Sequence, residues 1–211
     1  MTPAQRVAIV RCWPIYGLEG AGLLDLDAVF GRRVPRVMEI GFGNGEALVS
    51  LAESHPECDY LGVDVYEPGI GRLLAAVAEK RLDNVRLLRG DAVDVLPKRL
   101  APASLNAMLL FFPDPWPKKR HHKRRLVQTD FVKLVASRLV PGGHFHLATD
   151  WQDYAEHMLT VLEEEDAFVN LAGPGNFCTR GTDRPMTKFE RRGRRLGHEV
   201  LDLLFERRGP S

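Results

Sequence analysis

Glu39-Ile40-Gly41-Phe42-Gly43-Asn44-Gly45 is a glycine-rich turn between a strand-like segment that ends at Ile40 and a helix-like segment that begins at Glu46. Glycines in such a turn let the backbone bend sharply and come close to a ligand. Strand-like and helix-like segments go on alternating along the chain, which predicts a doubly wound, mostly parallel, Rossmann-like α/β sheet. The predicted strands are Arg36 to Ile40, Tyr60 to Val65, Val85 to Arg89, Ala107 to Phe112, Phe145 to Ala148 and Val200 to Phe205.

The predicted helices follow from apolar residues at helical spacing. Two of them lie in the first half of the chain, at Glu46 to Ser54 and at Pro68 to Lys80. A third extends from Leu126 to Leu139, and we expect Pro141-Gly142-Gly143 to end it. Asp150 is a candidate cap for a fourth helix.

Acidic residues lie at the carboxyl ends of the first three predicted strands, and these ends share one edge of a parallel sheet. Dinucleotide enzymes have a third glycine where this chain has Glu46, so the turn alone could be an ordinary strand-to-helix connection. An acid in this turn repels a pyrophosphate but suits S-adenosylmethionine, which has no phosphate and carries sulfonium and ammonium charges. Asp64, at the end of the second strand, can bind the ribose hydroxyls, and Asp91, at the end of the third, would lie beside the adenine. The sequence therefore predicts an S-adenosylmethionine site at Glu39, Gly41, Gly43, Asp64 and Asp91.

A second turn, Phe111-Phe112-Pro113-Asp114-Pro115-Trp116-Pro117, follows the fourth predicted strand. Methyltransferases that act on amino groups carry a related turn at this place, but here the aromatic residue follows Asp-Pro, which leaves room for a different target atom. Asp114 between two prolines is also a good turn former, whatever its chemistry. Trp116 either stacks on an extruded base or packs the loop.

The composition is that of an ordinary globular protein, with 211 residues, 45% of them apolar and 27% charged. At about 150 residues per domain, this length predicts a single domain over residues 1–211. The longest apolar run, Ala107 to Phe112, is far shorter than the roughly 20 residues of a membrane span. The three cysteines have no metal or disulfide spacing and we find no signal peptide, so we expect a cytoplasmic protein. His121 and His122 have no acid or cysteine nearby, so we expect no metal.

Basic residues concentrate in two segments, although the net charge is only +1. Lys118 to Arg125 contains six Lys or Arg and two His without an acid, and Arg180 to Arg195 contains seven Lys or Arg. Such segments are usually solvated surface. Two dense segments in a nearly neutral chain also fit a localised polyanion site, so composition leaves both interpretations open.

Four longer motifs resemble those of the bacterial tRNA guanine-N7 methyltransferase family, and they are spread in order over nearly the whole chain. These motifs are Val63 to Gly69, Phe111 to Arg125, Ala148 to Trp151 and Thr187 to Gly193. The resemblance implies the seven-stranded sheet of class I methyltransferases. It also implies methyl transfer from S-adenosylmethionine to N7 of a variable-loop guanosine of tRNA, guanine-46, with S-adenosylhomocysteine as the second product.

The resemblance further implies roles for individual residues. Cofactor contacts are expected at Glu39, Asp64, Asp91 and Asp114, and Asp114 is also the expected catalytic residue. Contacts with the RNA substrate are expected at Lys118, Asp150, Thr187, Lys188, Phe189 and Glu190.

Two other functions remain as alternatives. One is a methyltransferase that acts on a protein or a small molecule, and the two basic segments argue against it. The other is a catalytically silent RNA-binding module on the same fold, and the acids at the three strand ends argue against that.

Overall fold

The computed structural model describes residues 1–179, 184–185, 190 and 199–209. The chain forms two compact units: the first holds Met1–Ala101 with Arg184 and Pro185, and the second holds the other described residues from Pro102 onwards. The helices are α1 (Pro3–Tyr16), α2 (Leu26–Phe30), α3 (Glu46–Ser54), α4 (Glu67–Lys80), α5 (Ala92–Arg99), a 3-10 helix (Lys119–Arg124), α6 (Thr129–Arg138) and α7 (Gln152–Glu163). The strands are β1 (Arg36–Ile40), β2 (Asp59–Asp64), β3 (Val85–Arg89), β4 (Leu105–Phe111), β5 (Leu139–Thr149), β6 (Phe168–Asn170) and β7 (Leu201–Arg207).

The first unit contains three parallel strands in the order β3-β2-β1. β2 is buried at every position, as expected for a parallel strand between two others with helices over its faces. Its core includes Leu48 of α3, Leu73 of α4 and Leu87 of β3, all fully buried. This packing fixes the carboxyl ends of the three strands, where the predicted acids lie.

The second unit contains four strands in the order β4-β5-β7-β6. β4 and β5 are parallel, whereas β7 is antiparallel to both of its neighbours. The apolar faces of α6 and α7 are buried, among them Val132, Val135, Met158 and Leu162. The seven strands of the described residues, with helices packed on the strands of each unit, confirm the predicted α/β fold class.

The third helix ends within one residue of the predicted Leu139, but the prediction that Pro141-Gly142-Gly143 ends it is wrong. α6 ends at Arg138, and Pro141-Gly142-Gly143 lies inside β5. The pairing of β5 with β4 passes from Leu139 opposite Leu105 to His144 opposite Ala107, so the residues between them form an irregularity in the ladder. Gly142, with φ of 75°, supplies the left-handed conformation that this irregularity uses.

The helix predicted after Asp150 is present as α7, but Asp150 is not its cap. The helix begins at Gln152, so the capping position falls on Trp151, whose side chain makes no capping hydrogen bond. The Trp151 N–H instead donates to the Thr149 hydroxyl at 3.2 Å, which fixes the turn into the helix. No helix among the residues described is both long and apolar enough to cross a membrane.

Candidate functional site

The glycine-rich turn in the first unit is held by Asp64. The N–H of Gly43 donates to Asp64 Oδ2 and the N–H of Tyr66 donates to Asp64 Oδ1, both at 2.8 Å. Gly41 and Gly43 adopt φ of 67° and 54°, a region that favours glycine. One carboxylate therefore ties the turn after β1 to the end of β2.

The same turn packs closely against α4. A Cβ atom on Gly69 would lie 1.9 Å from the carbonyl oxygen of Gly43, so only a glycine permits this approach. At Gly41, by contrast, a Cβ would meet no atom within 4 Å. The turn is thus packed against α4 at Gly43, whereas the space beside Gly41 holds no atom of the described residues.

Glu39 is buried at the end of β1, with 3% of its surface exposed. Burial, with the nearby Asp64 charge as a second cause, raises the pKa of Glu39 to about 8, although the backbone N–H of Leu48 opposes the shift. Among the described residues, no group hydrogen-bonds to Glu39 Oε2. A buried carboxyl oxygen without a protein partner is costly and is typical of a ligand site.

Asp91 lies at the end of β3 and caps α5. Its carboxylate accepts a hydrogen bond from the Val93 N–H at 3.0 Å, and the side chain is exposed. A cavity of about 740 Å³ borders this position and is also lined by Trp13, Gly20 and Arg89. We did not predict this cavity, because α1 and the loop after it carry no motif. The first unit thus brings together the glycine-rich turn and two of the predicted acids, Glu39 and Asp64, with Asp91 at the next strand end.

The turn that carries Asp114 belongs to the second unit and has an unusual backbone. Phe112 and Trp116 adopt φ of 54° and 45°, which is strained for bulky side chains and is often found at functional sites. Asp114 is exposed between them. The guanidinium carbon of Arg124 lies over the Trp116 ring, 5.0 Å from the ring centre. The Trp116 and His121 rings meet edge to face, with 5.9 Å between their centres.

The first basic segment is largely exposed. Lys118 precedes the 3-10 helix, and the exposed cations of the segment are Lys118, Lys119, Arg120, Lys123 and Arg124. Arg125 differs, because its side chain is only 1% exposed. We predicted Arg125 as one more cation of this basic segment; its contacts with Asp153 and Tyr154, which are distant in the sequence, account for its burial.

The remaining predicted substrate residues are only partly described. Asp150 is half-buried before α7, and Glu190 is fully buried. Thr187, Lys188 and Phe189 lie outside the described residues, as does most of the second basic segment. Within the ranges that the structure describes, no three His, Cys, Asp or Glu residues are grouped so that they could hold a metal ion.

Comparison with protein families gives a match over residues 33–203 to the family described as "Putative methyltransferase". The tRNA (guanine-N(7)-)-methyltransferase of Alkalilimnicola ehrlichii is 56% identical over 99% of this chain and 89% of that protein. The protein of the same name from Thiobacillus denitrificans is 61% identical over 88% of this chain and 81% of that protein.

Solved structures show the same fold at low sequence identity. The 16S rRNA methyltransferase KamB superposes with a TM-score of 0.66 at 15% identity and covers 92% of this chain and 99% of its own. TrmN from Thermus thermophilus gives a TM-score of 0.55 at 18% identity, covering 86% of this chain and 47% of its own.

Proposed function

Because the chain belongs to the tRNA (guanine-N(7)-)-methyltransferase family, we propose that it transfers a methyl group from S-adenosylmethionine to N7 of a guanosine in tRNA. The observation in the structure that carries the proposal is the buried Glu39 carboxyl beside a glycine-rich turn that Asp64 fixes. The finer assignment, to guanine-46 of the variable loop, follows the family resemblance. A cytoplasmic location is also part of this proposal, and the free thiols of Cys12, Cys58 and Cys178 fit it.

The residues of the first unit fit S-adenosylmethionine. Glu39 Oε2 has no partner in the described part of the chain, and a ligand cation would supply one. Gly41 leaves open space where a side chain would otherwise stand, so a ligand can approach the backbone. In this proposal Glu39, Gly41, Gly43, Asp64 and Asp91 hold the cofactor, with Asp114 as a further contact.

S-adenosylmethionine, when bound, supplies a methyl group on a positively charged sulfur. Guanine N7 already has an in-plane lone pair, so the protein need not remove a proton to expose the nucleophile. Its task is to align the base and to stabilise the charge that moves onto the purine. We assign this electrostatic role to Asp114.

Lys118 and the exposed cations after it are placed to bind RNA. Lys118 ends the proline-rich turn, where its ammonium can donate to guanine O6 and so distinguish guanine from adenine. The 3-10 helix presents the other cations to phosphates. Asp150, Thr187, Lys188, Phe189 and Glu190 complete the proposed substrate contacts.

The direct test is transfer of a labelled methyl group to tRNA. The protein is incubated with methyl-labelled S-adenosylmethionine and bulk tRNA, the RNA is digested, and the nucleosides are separated. Label in 7-methylguanosine is the expected result. Label in another nucleoside, or in added protein rather than RNA, would show a methyltransferase of different specificity. Tight tRNA binding without label would show a silent RNA-binding module.

Mapping the modified nucleotide tests the finer assignment. Cleavage of the labelled tRNA at 7-methylguanosine should occur at position 46 and not in tRNAs that lack a guanosine there. Cleavage elsewhere would leave the reaction intact but contradict the position.

A further inference from the structure

Arg125 is a buried arginine at the end of an exposed basic segment. Its Nε–H donates to the carbonyl oxygen of Pro115 at 2.9 Å. Its Nη2 donates to Asp153 Oδ2 at the start of α7 and lies 3.1 Å from His122 Nε2. The guanidinium therefore joins the proline-rich turn, the 3-10 helix and α7 through a single side chain.

The surroundings of Arg125 fix its position. The guanidinium carbon lies 4.8 Å from the centre of the Tyr154 ring, in the range of a cation–π contact. Tyr154 is itself fully buried, and its hydroxyl accepts a hydrogen bond from the Val127 N–H at 3.2 Å. A planar guanidinium that donates in several directions and stacks on a ring is a role that lysine cannot reproduce.

The turn from 113 to 117 depends on this side chain. Three of its five residues are prolines, which have no N–H to donate, so the turn has few means of holding its own shape. Within the described part of the chain, the bond from Arg125 to Pro115 is the one hydrogen bond that reaches residues 113–117. Asp114 and Trp116 lie on either side of the carbonyl that Arg125 holds.

We propose that Arg125 is a positioning residue, which holds Pro115 so that Asp114 and Trp116 are set for methyl transfer, and that it does not contact RNA. The inference rests on the proposed function for the reaction that it serves, but the structural part can be measured without substrate. Arg125 thus has a different role from the exposed cations before it, which we assign to phosphate binding.

The test compares Arg125→Lys, which keeps the charge but not the fork of donors, with the parent protein. At saturating S-adenosylmethionine we expect kcat to fall about 10- to 100-fold, because a small displacement of reacting groups has that cost. The Kd for tRNA should stay within about twofold and keep its salt dependence, because no phosphate contact is lost.

A second measurement reports on the turn itself. The chain has three tryptophans, so 5-fluorotryptophan labelling gives three fluorine resonances that Trp→Phe variants assign. In Arg125→Lys without RNA, the Trp116 resonance should shift or broaden, whereas that of Trp13, in the first unit, should not. Asp153 is an exposed partner of Arg125, and Asp153→Asn removes its charge. This variant should shift the Trp116 resonance in the same direction as Arg125→Lys, but by a smaller amount.

The outcomes separate the two proposals. An unchanged Trp116 resonance with normal kcat in both variants overturns the positioning role, and so does a loss of tRNA affinity with a reduced salt slope, which would make Arg125 a phosphate contact. If Arg125→Lys does not fold, an unchanged Trp116 resonance in Asp153→Asn overturns the role by itself. A parent protein that methylates no tRNA refutes the proposed function, while the fluorine spectra still decide whether Arg125 holds the turn.

Discussion

Glu39 is an acid in the hydrophobic interior, where the protonated form is favoured until a cation is present. Its pKa of about 8 lies above the ordinary 4.5, so the folded protein without ligand binds this proton more tightly than the unfolded chain. The stabilisation is complete below about pH 4.5 and is lost as the pH rises to about 8. The consequence is a free protein that becomes less stable across the neutral range.

Glu39→Gln, which cannot ionise, should therefore be more stable than the parent at high pH. The difference in the free energy of unfolding should grow between about pH 4.5 and 8 and level off above, reaching at most about 5 kcal/mol. Thermal unfolding of both ligand-free proteins at five pH values measures it. Parallel curves would mean that the pKa of Glu39 is the same in the folded and the unfolded protein, so that burial does not shift it.

The charge of Asp114 has a consequence that can be tested separately from its turn. Asp114→Asn keeps a side chain of the same shape between the two prolines, so the fold and most of the cofactor affinity should remain. Loss of the charge should lower kcat about 100- to 1,000-fold, the range that removal of a single electrostatic contact costs in catalysis.

The matched control for Asp114→Asn is Asp130→Asn, an exposed acid at the start of α6 in the same unit. Single-turnover methylation and calorimetry with S-adenosylmethionine give the two quantities for each variant. If Asp114→Asn turns over as fast as Asp130→Asn, Asp114 serves only to form the turn.

At the scale of elements, two glycines of α4 pack closely against different neighbours. Gly69 packs against the glycine-rich turn, and Gly71 packs against α1. A Cβ on Gly69 would collide with the Gly43 carbonyl, and a Cβ on Gly71 would lie 2.7 Å from the Gln5 carbonyl oxygen in α1. The two positions are on the same helix and two residues apart. Only the first touches the turn where we place the cofactor.

Gly69→Ala and Gly71→Ala should thus differ in binding and not in stability. Overpacking should destabilise each variant by about 1 to 3 kcal/mol. The affinity for S-adenosylmethionine should fall about tenfold or more in Gly69→Ala, because the Gly43 carbonyl has to move, and should hold in Gly71→Ala. Denaturant titration and calorimetry measure both quantities. Equal affinities would show that the turn adapts without loss.

The elements that the sequence predicted well are those that local signals specify. β1 and α3 have the predicted bounds because Gly41 ends the strand and His55-Pro56 ends the helix. β5 was mispredicted because Pro141 and Gly142 are local signals to stop, whereas pairing with β4 decides that the strand continues past them. α1 was missed because its apolar residues do not share one face of the helix, so its sequence shows no helical pattern.

The candidate site divides in the same way. Glu39, Gly41 and Asp64 lie at the ends of two strands that the sequence itself predicts. Since the ends of parallel strands share one edge of the sheet, the sequence could place these residues near one another. The burial of Arg125 depends on Tyr154 and Asp153, almost thirty residues later, and charge patterning along the sequence carries no information about such a contact.

At the scale of the whole molecule, a net charge of +1 conceals a concentrated basic surface. The exposed cations between 118 and 124 lie in a segment without acids, and Arg125, the one Lys or Arg of the segment that pairs with a carboxylate in the described residues, is buried. A polyanion would therefore be attracted to this segment although the protein as a whole is nearly neutral.

Affinity for tRNA should fall steeply with salt, and Arg124→Ala should reduce the magnitude of the salt slope by about 0.7 to 0.9, because one phosphate contact is lost. All tRNAs should be affected alike, since phosphate contacts do not select sequence. Binding measured at several salt concentrations provides the slope. The control is Arg72→Ala, an exposed arginine on α4, which should leave it unchanged. An equal slope in the two variants would place Arg124 outside the RNA contact.

The order of the strands in the second unit also bears on how the protein is made. β7 comes after β6 in the chain but lies between β5 and β6 in the sheet. During synthesis, the edge of β5 that pairs with β7 is therefore unpaired at first. β6 likewise has no strand to pair with until β7 has been made. An interrupted translation product that stops short of Leu201 would keep that edge exposed, and such edges pair readily with other chains. The strands of the second unit are thus complete only once Arg207 has been made, whereas the three strands of the first unit are complete by Arg89.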